Sequence, residues 1–151
     1  MLKVITRKTG SVRKLGLLIV LIAAVVVAVA VWVPKSTLIR APKNTFHVAI
    51  ADTDELQQKG LSGHDPLGED GGMLFVFDRP AAYGFWMKDM NFPIDIIWLN
   101  SDKEIIKISN DIKPESFPEQ FCPESPVQHV IELQSGEAAN NNLVVGQKLK
   151  F

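Results

Sequence analysis

The chain has a single cysteine, Cys122, so it cannot close an internal disulfide, and a free cysteine of this kind is most commonly a buried side chain. It also has no acidic residue before Asp52. Its first fourteen residues carry Lys3, Arg7, Lys8, Arg13 and Lys14, and residues 15–33 (LGLLIVLIAAVVVAVAVWV) carry no charge of either sign. Nineteen uncharged, apolar residues are enough to cross about 30 Å of hydrocarbon as a helix. The basic leader marks the cytoplasmic side, so everything after the helix is expected outside the cytoplasm. Ala28-Val29-Ala30 has the small-x-small form of a signal-peptidase site, but the apolar run continues past it through Trp32, which suits an interfacial anchor. An uncleaved signal anchor is therefore preferred over a cleaved signal peptide.

Without the leader the charge changes sign. Eleven of the sixteen Lys and Arg and all seventeen Asp and Glu follow residue 34, leaving that part at −6. A mildly acidic domain without a clustered basic face excludes nucleic acid as a partner. The bilayer is the partner expected for residues 15–33.

Residues 34–44 (PKSTLIRAPKN) are polar with two prolines and read as a linker, which places the domain at 45–151. TFHVAIA (45–51) alternates as a half-buried strand. Asp52 with Glu55 starts a short helix that Gly60 stops. SGHDPLGEDGG (62–72) is a loop in which Gly71 and Gly72 serve turn geometry, and MLFVF (73–77) has the continuous apolar character of a strand covered on both faces. Further strands are predicted at 83–87, 94–99, EIIKIS (104–109), VQHVIEL (127–133) and LVVGQKLKF (143–151), with a proline-rich irregular loop over 110–126. About seven strands with one short helix predict a mainly β domain, a sandwich or a barrel of mixed order.

KGLSG (59–63), GGMLFVFDRP (71–80), FWMKDMNFPIDIIWLN (85–100), HVIELQSGEA (129–138) and the terminal VVGQKLKF resemble, in order and spacing, the DUF192 family. The resemblance implies a small, β-rich, jelly-roll-like domain of exported or membrane-anchored proteins, with no established activity. This chain departs from the usual family pattern in carrying Lys59 and Ser62 around Gly60-Leu61, and Asp89 where an asparagine is usual; Trp86, Met87, Lys88 and Asp95 match it.

The stretch 85–100 mixes charge with large apolar groups. In an extended segment Asp95, Ile97 and Leu99 share one face and Ile94, Ile96 and Trp98 the other, so the Asp95 carboxylate is at least partly buried and needs a cation or several donors. Lys88, Lys59 and Arg79 are the candidate cations. One reading is a structural ion pair pinning residues 88–93. Another is a ligand pocket floored by Trp86 and Trp98, with Lys88, Asp89 and Asp95 as its polar groups, suited to a small molecule or a sugar ring. Asp89 and Asp95 as an acid and base would make a hydrolase of envelope carbohydrate. Cys122, His129, His64, His47, Met87 and Met90 are soft or borderline donors of the kind copper takes, although their spacing matches no standard metal signature. No nucleophile elbow is present and no cofactor is expected. The reading that joins these parts is a membrane-anchored, extracytoplasmic module that binds a small ligand or serves as an accessory.

Overall fold

The computed structural model describes residues 35–151, which form one compact unit. The signal anchor expected over 15–33 and the basic segment before it lie outside the described residues; among those described, no helix is long and apolar enough to cross a membrane.

The strands are β1 (Ser36–Arg40), β2 (Thr45–Ala51), β3 (Gly71–Ala81), β4 (Ile94–Leu99), β5 (Ile105–Ile112) and β6 (Val127–Gln134), with short helices α1 (Asp54–Lys59) and α2 (Glu137–Asn140). All six strands belong to one mixed sheet in the order β1-β2-β3-β6-β4-β5. This corrects the sandwich expectation. β2 and β3 are parallel neighbours, which requires a crossover, and α1 lies within that crossover. β6 enters between β3 and β4, antiparallel to both. Strands that the pattern would distribute over two layers therefore pair within a single layer.

With no second sheet among the described residues, irregular segments cover both faces. On one face Met73, Phe75, Phe77, Ile96, Trp98 and Val130 pack with Leu61, Met87 and Phe92. On the other Phe46, Val48, Leu74, Ile97, Leu99 and Ile131 pack with Ile39, Ala138, Leu143 and Leu149. β4 is buried along its whole length because it supplies both cores in alternation.

Several expectations shift at their edges. Residues 36–40, assigned to the linker, form edge strand β1, because β2 offers its open side to Ser36 through Arg40 in antiparallel register. The helix is capped by Thr53, whose hydroxyl accepts from Leu56 N, and not by Asp52, which pairs with Lys35 instead. Residues 83–87 and 143–151 are not full strands: Phe85 makes one isolated bridge to Phe121, and the terminal segment bridges through Lys148 to Glu104 and through Lys150 to Arg40. The tail thus reaches both edges of the sheet without closing it. Gly72 lies inside β3 and not in a turn, where a β-carbon would come within 2.8 Å of both the Glu132 carbonyl and Leu133 Cδ2. Its requirement is close approach of β3 to β6, not turn geometry.

Candidate functional site

Two loops meet over the first core. α1 ends at Gly60, whose φ of 50° and ψ of −137° belong to glycine alone. Residues 61–64 then fold against residues 87–91: Ser62 Oγ donates to Lys88 O at 2.8 Å, Gly63 N to Asp89 O at 2.8 Å, and Asn91 Nδ2 to His64 O at 3.0 Å. Asp89 itself has φ 55°, a left-handed conformation that Asn and Asp tolerate best. Either residue type at this position can therefore make the same turn.

Between these loops and β3 lies a cleft of about 760 Å³, within the usual range for small-molecule sites. Its lining includes Lys59, Lys88 and Asp89, the amides Gln58 and Gln120, and a set of aromatic side chains. Phe77 and Tyr83 stack with ring centroids 3.5 Å apart, and Phe75 meets Phe85 edge-on at 4.9 Å. At the rim Trp86, 48% exposed, stands edge-on to Phe117, 44% exposed, at 5.7 Å. Among the described residues neither Lys59 nor Lys88 is in an ion pair.

The floor holds the most unusual group. Glu132, on the central strand β6, is 5% exposed and lines the cleft, and its Oε2 meets no hydrogen-bond partner. Burial pushes its carboxyl up to about 8, so it is mostly protonated at neutral pH. A buried acid in this state carries an O–H for which the described residues supply no acceptor at Oε2.

The residues singled out from the sequence divide between two faces. Trp86, Lys88 and Asp89 line the cleft. Trp98 lies beneath it, fully buried, stacked edge-on against Phe85 and donating from its indole to Tyr83 O at 3.3 Å; it supports the wall without forming a surface. Asp95 belongs to the opposite face. It is fully buried, and its carboxylate accepts from two backbone amides, Asp111 N at Oδ1 and Ala138 N at Oδ2, each at 2.9 Å. No lysine or arginine pairs with it among the described residues. The expected ion pair with Lys88, Lys59 or Arg79 is thus replaced by amide donors, supplied by a bulge in β5 where Asp111 takes φ 50° and by the first turn of α2.

The acid pair proposed for a hydrolase, Asp89 with Asp95, is separated by the sheet. The copper donors do not converge either: among the described residues no three His, Cys, Asp or Glu side chains gather. His47 is exposed on β2, and Met87 is core. His129 sits beside Asn100 O at 3.3 Å and edge-on to Phe151, with burial holding its pKa below the ordinary value. Cys122 is exposed and not buried, because its segment runs along the outside of residues 84–85.

Glu132 was not singled out from the sequence. The signal present was the one that flagged Asp95, an acid in an otherwise apolar strand, here HVIEL.

Solved structures share this fold, among them the following two. One, a protein of unknown function from Novosphingobium aromaticivorans, is 26% identical over 77% of this chain and 85% of its own, with a TM-score of 0.72. The other, a Sinorhizobium meliloti protein provisionally described as a transcription regulator, is 24% identical over 78% of this chain and 94% of its own, with a TM-score of 0.73. No curated protein matches the chain. The sequence profile of DUF192, described as "Uncharacterized ACR", matches residues 37–151, and the chain belongs to that family.

Proposed function

We propose that this domain is a binding module at the cell envelope, and that the cleft between the KGLSG loop and the Trp86–Asp89 turn takes a small polar ligand. The observation that carries this reading is the unpartnered Oε2 of Glu132 at the floor of the cleft. Leaving a buried polar atom without a partner costs about 1–3 kcal/mol, and a ligand that hydrogen-bonds to it recovers that loss. The aromatic walls and the few polar groups converging on one concavity are the ordinary make-up of such a site.

The extracytoplasmic setting is proposed from the charge-free run at 15–33 and the basic leader before it. A phosphatase fusion after residue 151 would report activity only if the C-terminus is exported; activity confined to cytoplasmic reporters would overturn this part.

The binding reading is tested by titrating the protein with a library of polar fragments, following the amide resonances of Gly60 and Leu61 and the indole of Trp86. Fragments that move these signals in the wild type but not in Glu132→Leu support it. Shifts confined to other surfaces, or equal in the variant, count against it.

Hydrolysis of envelope carbohydrate remains as a second reading on one observation: a protonated Glu132 has the proton a general acid donates to a leaving oxygen. Release of reducing ends that disappears in Glu132→Gln is its expected signature.

A further inference from the structure

We infer that the ligand of this cleft is a sugar ring bearing an acidic group, a carboxylate or a phosphate. This deepens the binding reading and rests on it.

The ring is argued from the rim. Large exposed apolar groups are unfavourable in water, yet Trp86, which lines the cleft, and Phe117 beside it are about half exposed. A flat aromatic surface of this kind receives the C–H face of a pyranose by stacking. The side-chain amides of Gln58 and Gln120 line the same space, and among the described residues neither has a side-chain hydrogen bond. They are suited to hydroxyls, which donate and accept at once. Gln57, by contrast, is committed to the carbonyls of Ala51 and Val76.

The acid is argued from the charges. Lys59 and Lys88 come from the two loops that form the cleft, and neither has a carboxylate partner among the described residues. Lys59 directly precedes Gly60, where a β-carbon would lie 3.7 Å from Glu132 Oε2, so its backbone is fixed at the edge of the floor while its side chain lines the cleft. Asp54 also lines the cleft, at the other end of α1, five residues from Lys59 or about 7 Å along the axis. Glu132 in its protonated form does not repel an anion; it donates to one, or to a hydroxyl beside it. A cationic ligand would meet Lys59 and Lys88 as well as Asp54 and Asp89, and would gain the Glu132 carboxylate only by stripping the proton from a buried acid.

The test uses the full chain in detergent micelles and four probes that differ at one carbon. These are methyl β-D-glucuronide, methyl β-D-glucoside 6-phosphate, methyl β-D-glucoside, and methyl 6-amino-6-deoxy-β-D-glucoside. Calorimetric titration is expected to show one or both acidic probes binding about tenfold or more tightly than the neutral glucoside, with the amino sugar weakest. Which acidic probe wins identifies carboxylate or phosphate as the source. In the paired variants Lys59→Gln and Lys88→Gln the advantage of the acid is expected to disappear while neutral binding stays, and Trp86→Ala is expected to weaken all probes together. Equal or tighter binding of the neutral or amino probe overturns the acidic assignment but leaves the binding reading standing, provided that Trp86→Ala abolishes it. Binding of none of the four overturns the inference outright, and the fragment titration then decides the binding reading on its own.

Discussion

Gly60 and Glu132 meet beneath the cleft: a β-carbon placed on Gly60 would lie 3.7 Å from Glu132 Oε2 and 3.4 Å from Phe75 Cζ. Gly60 also holds a backbone conformation that L-residues avoid. Gly60→Ala is therefore expected to lose about 1–3 kcal/mol of stability. Urea denaturation measures this directly, and an unchanged midpoint would show that the loop re-forms without the glycine.

Glu132 gives the protein a pH dependence of definite sign. An unfolded chain releases this proton near 4.5, whereas the folded chain holds it to about 8. The unfolded state therefore binds fewer protons within that window. The contribution of Glu132 to stability is whole below 4.5, declines as pH rises through 8, and is constant above. Glu132→Leu removes this titration, so its stability relative to wild type is expected to rise between pH 5 and pH 8 by on the order of 3 kcal/mol. A difference that does not change with pH would sink the assignment.

Asp95 is structural, and its replacement should separate stability from binding. Asp95→Asn keeps one acceptor but turns an amide donor toward one of the two backbone N–H groups. The expected loss is about 1–3 kcal/mol in denaturation. The cleft lies on the other face of the sheet, so fragment-induced shifts at Gly60 and Trp86 should persist in the folded variant. Loss of those shifts with stability unchanged would place Asp95 in the site after all.

His129 acts in the opposite direction from Glu132. Burial disfavours its charged form, so the unfolded chain takes up a proton near 6.5 that the folded chain resists. Its contribution is whole above 6.5 and is lost as pH falls below that value. His129→Gln is expected to flatten the acid side of the stability curve, read as Tm at pH 7 and pH 5. An identical acid slope in both proteins would contradict this.

Much of the fold is legible in the sequence where the pattern is local. The boundaries of β2 and β4 follow from alternation and from turn residues at their ends, and the burial of Asp95 follows from apolar neighbours on both faces. The partners of Asp95 do not follow, because they come from Asp111 and Ala138, 16 and 43 residues further on. The segment STLIR shows the same limit: its composition is that of a polar tether, and it becomes a strand only because β2 has an unpaired edge beside it.

Half of the candidate site was visible. Trp86, Lys88 and Asp89 stand in one short motif and lie in the cleft together, as neighbours in sequence must remain neighbours in space. Lys59 was named only as a cation for Asp95, and it and Glu132 took their places in the cleft only once the sheet had brought β6 under the end of α1.

By itself the sequence determined the family, the mainly β character, the acidic charge of residues 35–151 and the residue types that crowd around residues 85–100. Hydrophobic periodicity and composition are sums over nearby residues, and these properties need nothing more. Only the tertiary structure decided that the strands form one sheet, that Asp95 faces away from the cleft, and that an acid on β6 lies unpaired at its floor. Strand order and the burial of a single oxygen depend on contacts between residues far apart in the chain, and no local pattern encodes them.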